Sequence, residues 1–201
     1  VPGGSELAKK TFNPRLGITG GISIIGTSGI VRPFSSEAFV NSIRKEIQVA
    51  RALGCSGIVI NSGAKSENYL RSRFPDLPAQ AFIHYGNYIG DTLRLADEEG
   101  ITHITMGIMI GKAVKLAEGH LDTHSRNVVM NRDFIIALAD ESHCPPANIA
   151  RVAEITLARE LWELFADTPA FFTLLVDRCM AVCRPLLPHA TLEIMLVPEQ
   201  A

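Results

Sequence analysis

Short apolar runs alternate with longer amphipathic segments between Leu16 and Met109, and this alternation constrains the fold more than any other feature. The segments 36–53 and 87–99 have helical periodicity, and a glycine follows each of them as a stop signal. Strand and helix in alternation predict an α/β fold, with a mostly parallel twisted sheet and flanking helices. Runs with the length and apolar character of buried strands are residues 22–25, 57–61, 81–85 and 101–106.

The pattern changes after Met130, where helical periodicity replaces the short apolar runs. We predict helices over residues 131–141, 148–165 and 169–184, and the run TLEIMLV at 191–197 could add one edge strand. The predicted organisation has three parts: an N-terminal linker from a missing upstream region (1–15), an α/β ligand-binding core (16–130), and a helical extension with that edge strand (131–201).

Charge and hydropathy narrow the choice of partners. The 19 lysines and arginines nearly balance the 21 acidic residues, so the net charge of -2 provides no basic field for nucleic acid. No apolar run approaches the roughly 18 residues that span a bilayer, and the cysteines form no CxxC pair that would indicate zinc. We expect a cytoplasmic protein with a small-molecule partner. The apolar residues of the last helices fit either a core or an interface, so a homo-oligomer remains open.

Glycine-containing loops follow the predicted strands of the core. Ligands bind beyond the carboxyl ends of parallel strands, because loops converge there and helix N-termini expose free N–H groups. Glycine beside a small polar residue lets a ligand approach the backbone closely. No loop matches a dinucleotide or Walker A fingerprint, which argues against phosphoryl transfer but leaves open a ligand with an adenosine or other flat portion. The residues predicted to form this pocket are Gly26, Thr27, Ser28, Gly29, Ser62, Gly63 and Asn87.

The stretch GKAVKLAEGHLDTHSRN, residues 111–127, follows the last predicted strand of the core. Lys112 and Lys115 lie three residues apart at the start of a short helix, so they share one face. They are either two solvated lysines or the partners of an anionic ligand, which would offset the unfavourable placement of cations in a first helical turn. As point-charge donors, lysines suit carboxylates or phosphates.

Two histidines, His120 and His124, close the same stretch with a four-residue spacing. This spacing directs two metal ligands to one site only if the helix continues through both, and Gly119 argues against that. We therefore predict no metal site. The alternatives are hydrogen bonding to a substrate or proton transfer by Thr123, His124 and Ser125, or simple structural capping.

Several of these segments together resemble one family. They are GGISIIGTSGIVRP, NSGAKSENYL, GNYIGDTL and GKAVKLAEGHLDTHSRN, within a likeness that covers residues 6–126 in order. They resemble the cobalt-precorrin-5B C1-methyltransferases of anaerobic cobalamin (vitamin B12) biosynthesis. The resemblance implies an enzyme that transfers the methyl group of S-adenosylmethionine to carbon C1 of the cobalt-precorrin-5B macrocycle, giving cobalt-precorrin-6A. Members of the family have an additional N-terminal region, so we expect this chain to correspond to the C-terminal portion.

The resemblance also assigns roles to the candidate residues. The post-strand loops with Asn87 would bind S-adenosylmethionine, and His124 would carry any proton transfer. The macrocycle bears many carboxylates, for which cationic and hydroxyl side chains are suitable partners. A rival interpretation from the same residues is a non-catalytic α/β module that binds an anionic metabolite or an assembly partner. The residues expected to face the macrocycle are Lys112, Lys115, Thr123, Ser125 and Arg126.

Overall fold

A computed structural model of the chain describes residues 2–11, 14, 17–22, 35–125 and 128–198. The predicted strand at 22–25, apart from Ile22, lies outside these residues, as do the GTSG loop and Arg126. Strands among the described residues are β1 (Gly57–Asn61), β2 (Phe82–His84), β3 (His103–Met109) and β4 (Thr191–Val197). The helices are α1 (Gly4–Ala8), α2 (Ser36–Ala52), α3 (Ala64–Arg73), α4 (Ile89–Glu98), α5 (Ile110–Ala117), α6 (Arg132–Glu141), α7 (Pro146–Arg151), α8 (Leu161–Leu164) and α9 (Pro169–Cys183).

The four described strands form one parallel sheet in the order β2-β1-β3-β4, which confirms the predicted α/β class. β1 has the predicted bounds, and β4 lies at the predicted edge. β3 begins two residues later than predicted, because the Ile101 N–H donates to the Ala96 carbonyl and so belongs to the turn that closes α4. Helix α2 begins where predicted, directly after Ser35, whose side chain accepts a hydrogen bond from the Ala38 N–H.

The sheet is covered on both faces. Ile58 and Ile60 of β1 belong to a large apolar core that includes residues of α2, α4, α5 and α9. Val59 points into a second, smaller cluster with Leu70 of α3. Strands buried on both faces read as continuous apolar runs, which is why β1 could be recognised from the sequence.

Helix α3 was not predicted, and the predicted helix at 148–165 is wrong in its length. That segment breaks into α7, a turn, a 3₁₀ turn at Ala158–Glu160 and α8. The break has a local cause: the Glu160 carboxylate accepts hydrogen bonds from the N–H groups of Thr156 and Leu157, which starts a new helical segment. The large core nevertheless runs from α2 to α9 without interruption, so the division of the chain near residue 130 stays a prediction.

The strand order creates a crevice at the carboxyl edge of the sheet. From β1 the chain moves outward to β2, then crosses back to β3 on the other side of β1. Loops leaving the carboxyl ends of β1 and β3 therefore diverge, and such a switch point is where ligands bind in open α/β sheets. Of the helices in the described ranges, none is long and apolar enough to cross a membrane.

Candidate functional site

An open cavity of about 570 Å³ lies at this carboxyl edge. It brings together Asn87 from the loop after β2 and both lysines of α5. Three predicted polar residues that follow α5 also line it: Thr123, His124 and Ser125, which we call the polar triplet. These side chains come from segments up to 38 residues apart, and the sequence predicted all of them as ligand contacts. The predicted members that line the cavity are Asn87, Lys112, Lys115, Thr123, His124 and Ser125.

The polar triplet is held in place by the loop after β2. The Thr123 N–H donates to the Asn87 carbonyl at 3.1 Å, and the Gly90 N–H donates to the Leu121 carbonyl at 3.2 Å. The two segments therefore run antiparallel, with a bridge centred on Tyr88 and the residue that precedes Thr123. A Cβ atom at Gly90 would lie 2.9 Å from the Leu121 Cβ, so glycine is what permits this close approach.

Lys112 spans the cavity floor from the first turn of α5. Its Nζ donates to the Asn87 Oδ1 at 2.8 Å and to the Gly86 carbonyl. Burial, with a smaller contribution from the nearby Lys115, lowers the pKa of Lys112 to about 8, while Asp122 opposes the shift. The two acceptors of the Lys112 ammonium group, the Gly86 carbonyl and the Asn87 Oδ1, belong to the loop after β2. Lys112 therefore connects α5 to that loop in addition to lining the cavity.

Lys115, one helical turn further on, is in a different position. Its Nζ donates to the Thr123 carbonyl at 3.3 Å, a longer contact than either made by Lys112. Burial lowers the pKa of Lys115 as well, with Asp122 opposing. Since this one long hydrogen bond to the described residues uses only part of the donor capacity of an ammonium group, Lys115 is better placed than Lys112 to meet an anion in the cavity.

The polar triplet itself divides by burial. Thr123 is 2% exposed, and its Oγ1 has no hydrogen-bond partner among the described residues. His124 is half-buried and Ser125 is exposed, and the His124 N–H donates to the Asp122 carboxylate at 3.0 Å. Helix α5 ends at Ala117, so both His120 and His124 lie beyond it and do not share a helical face. A buried hydroxyl without a partner costs free energy, which marks the Thr123 side chain as a candidate ligand contact.

The loop after β1, with the predicted pocket residues Ser62 and Gly63, does not line this cavity. The N–H groups of Ser62 and Gly63 both donate to the Ser66 Oγ at 3.1 Å, and that hydroxyl donates back to the Gly63 carbonyl. The turn is therefore satisfied by the first turn of α3. Sequence reasoning missed these hydrogen bonds because it did not predict α3. The residue that could have indicated the helix start is Ser66, at the third helical position after Gly63.

Two family models match the ends of this chain: the CbiD model covers residues 1–33, and the model of the CbiD C-terminal domain covers residues 122–200. The chain belongs to the CbiD family. This confirms the resemblance seen in the sequence motifs. No solved structure shows a significant match to the CbiD-family chain.

Curated relatives of this CbiD-family chain carry the name cobalt-precorrin-5B C(1)-methyltransferase. The protein of Prosthecochloris aestuarii is 43% identical over 100% of the chain and 55% of its own length. That of Geobacillus kaustophilus is 43% identical over 89% of the chain and 49% of its own length. That of Methylococcus capsulatus is 35% identical over 100% and 54%, respectively. The chain thus spans about half the length of the curated relatives it matches.

The part of the chain that matches the CbiD C-terminal domain also supplies an apolar wall that sequence reasoning missed. Gly111 explains how part of this wall reaches the cavity, because an added Cβ there would lie 3.3 Å from the Ala158 Cβ. The segment 156–158 therefore packs closely against the start of α5. No motif marks these residues, so only their position in the fold reveals them. The apolar residues lining the cavity are Met109, Val128, Val129, Met130, Leu157 and Ala158.

Proposed function

We propose that this chain carries the macrocycle-binding part of an S-adenosylmethionine-dependent methyltransferase, which methylates C1 of cobalt-precorrin-5B to give cobalt-precorrin-6A. Membership of the CbiD family and the names of the curated relatives support the reaction. One structural observation carries the assignment of the site: Lys112, Lys115 and the buried Thr123 hydroxyl line a single cavity at the carboxyl edge of the sheet.

The chemistry of the cavity suits this substrate. A precorrin macrocycle is a large ring with peripheral acetate and propionate groups, so its binding site needs cations and hydroxyl donors beside apolar surface. Lys115 and Thr123 provide a charge-assisted and a neutral donor for a carboxylate, and the exposed Ser125 adds a second hydroxyl. We propose that Arg126, which lies outside the described residues, faces the macrocycle as well. An open cavity of about 570 Å³ receives one edge of such a ring, with the remainder outside it.

The described part of the proposed pocket for S-adenosylmethionine consists of Ser62, Gly63 and Asn87. The Ser62 and Gly63 N–H groups are bonded to the Ser66 hydroxyl, and the Ser62 hydroxyl lies 3.2 Å from that same oxygen, so a bound cofactor would have to compete with these contacts. Asn87 lines the cavity proposed for the macrocycle. When bound, the cofactor supplies a methyl group that its sulfonium already makes electrophilic. The chain has to align a ring carbon with that group and exclude water.

His124 is the proposed group for any proton that leaves the macrocycle during methylation. It lines the cavity, and its main chain is held by the Asp122 carboxylate, which orients the residue. Imidazole exchanges protons near neutral pH, so it suits this role. A His124→Gln variant would keep a polar side chain of similar reach, and we expect it to lower kcat at neutral pH with little change in macrocycle affinity.

Transfer of labelled methyl groups from S-adenosylmethionine to the cobalt-precorrin tests the proposal directly in the complete protein. Calorimetric titration with S-adenosylhomocysteine tests cofactor binding separately. We expect Lys115→Met to weaken macrocycle binding by roughly 10- to 150-fold while S-adenosylhomocysteine binding is unchanged, since a charged hydrogen bond is worth roughly 1.5–3 kcal/mol. The exposed Lys45 of α2, changed to Met, controls for the loss of one positive charge. Macrocycle binding without methyl transfer would instead support a non-catalytic binding module.

A further inference from the structure

Two exposed apolar side chains line the cavity that also contains Lys112 and Lys115. Val129 is 80% exposed and Leu157 is 49% exposed, and both line this cavity. A single exposed apolar side chain is ordinary on a protein surface. Here two of them share one cavity with further apolar lining, and they come from separate segments of the chain. They form what we call the apolar rim, defined as Val129 and Leu157.

The position of Leu157 is fixed before any ligand binds. Its N–H donates to the Glu160 Oε1 at 2.6 Å, and the same oxygen accepts from the Thr156 N–H and hydroxyl. These hydrogen bonds, with that from Leu157 the largest contribution, lower the pKa of Glu160, so the carboxylate that makes them is ionised at neutral pH. The neighbouring Ala158 packs against Gly111. At Leu157 the main chain of the rim is already ordered, so covering a ligand there costs less conformational entropy.

The polar side of the cavity has a different preference. Lys115 retains donor capacity, and the Thr123 Oγ1 is buried at 2% exposure with no partner among the described residues. This pair suits a carboxylate. A small carboxylate, however, would leave the apolar rim in water and gain nothing from it. The combination favours a ligand that carries a carboxylate beside apolar surface.

We propose that Val129 and Leu157 are specificity-determining residues: they cover the apolar edge of a polycarboxylated macrocycle, while Lys115 and Thr123 bind one of its peripheral carboxylates. The choice of a macrocycle as ligand rests on the proposed function. The division of labour between rim and polar pair is additional to it. Because Val129 and Leu157 belong to the C-terminal part of the chain, that part helps to determine which carboxylate-bearing ligand binds at the α/β core.

Two probes separate the two contributions in the complete protein. Cobyrinic acid carries a corrin ring with peripheral carboxylates, and tricarballylate carries three carboxylates without a ring. We expect Val129→Ser combined with Leu157→Ser to weaken cobyrinic acid binding by about ten-fold, or roughly 1.4 kcal/mol, and to leave tricarballylate binding unchanged. Difference absorption of the corrin and calorimetry of tricarballylate measure the two affinities.

Matched variants keep the result interpretable. Leu53 and Leu77 are 60% and 38% exposed and lie away from this cavity, so their double change to Ser controls for lost apolar surface. Lys115→Met combined with Thr123→Val should weaken both probes. Equal cobyrinic acid binding by wild type and the rim variant overturns this inference but leaves the proposed function standing. Equal weakening of both probes by the rim variant also overturns it. A wild-type protein that binds no cobyrinic acid refutes the proposed macrocycle site and this inference together.

Discussion

Lys112 offers a test of the site that needs no ligand. Its ammonium group is largely buried at the cavity floor, where burial lowers the pKa from 10.5 to about 8. In the unfolded chain the group is solvated and titrates near its ordinary value. The folded protein therefore releases this proton at lower pH than the unfolded chain does. Changing Lys112 to Met removes the titration and retains a side chain of similar length.

The sign and size of the effect follow from proton linkage. Between the folded and unfolded pKa values the unfolded state binds more protons, so the free energy of unfolding rises with pH across that interval. For a shift from 10.5 to about 8, the gain of wild type relative to Lys112→Met is about 2 kcal/mol between about pH 7 and about pH 9.5. Below about pH 7 the group is charged in both states, and the difference becomes constant.

Urea denaturation of both proteins across this pH range measures the effect. Other groups that titrate there, including Cys179 and Cys183 with pKa values raised by burial, affect both proteins equally and cancel in the difference. The exposed Lys45, changed to Met, controls for the loss of a positive charge. A difference curve for Lys112→Met that stays flat from neutral to alkaline pH would refute the burial of this ammonium group, and with it the described geometry of the cavity floor.

Three further predictions concern stability and binding. Burial would raise the pKa of Asp97, but hydrogen bonds from His189 outweigh it and lower the pKa. Asp97→Asn should therefore lower the free energy of unfolding by about 1–2 kcal/mol at neutral pH, as measured by urea titration. This loss should disappear as the pH falls through the lowered pKa of Asp97. Gly107→Ala places a Cβ against the buried Leu70 side chain and should lower the free energy of unfolding by about 1–3 kcal/mol. Gly21→Ala, whose added Cβ meets nothing within 4 Å among the described residues, is the control and should change it little. Thr123→Val should weaken macrocycle binding about five-fold and Thr123→Ser should restore it, as read by corrin absorption.

The sequence was informative wherever a signal is local. Apolar runs of strand length predicted β1, β4 and the α/β class, because a strand buried on both faces requires consecutive apolar residues. Sequence-based prediction of the helices failed where the hydrogen bonds of a single side chain end or begin a helix. Glu160 divides the predicted helix at 148–165, and Ser66 caps a helix that periodicity did not reveal, since α3 has few buried positions. Such caps act through one or two hydrogen bonds that leave no periodic pattern.

The glycines after the strands illustrate the same limit. Sequence reasoning interpreted them as space for a ligand. At Gly107 and Gly111 the space is instead taken by the protein itself, by the side chain of Leu70 and by Ala158. Both situations require a missing Cβ, so glycine alone does not distinguish them.

By itself, the sequence determined that a parallel sheet forms, that polar groups gather after α5, and that the chain resembles the CbiD family. The tertiary structure decided which of these groups meet. Lys112 bonds to Asn87, Thr123 lies against the same loop, and Leu157 reaches the cavity from the C-terminal part of the chain. Periodicity records how each segment is buried, whereas the distance between segments depends on strand order and helix packing. The site is made of such distances, so it became visible only in the folded chain.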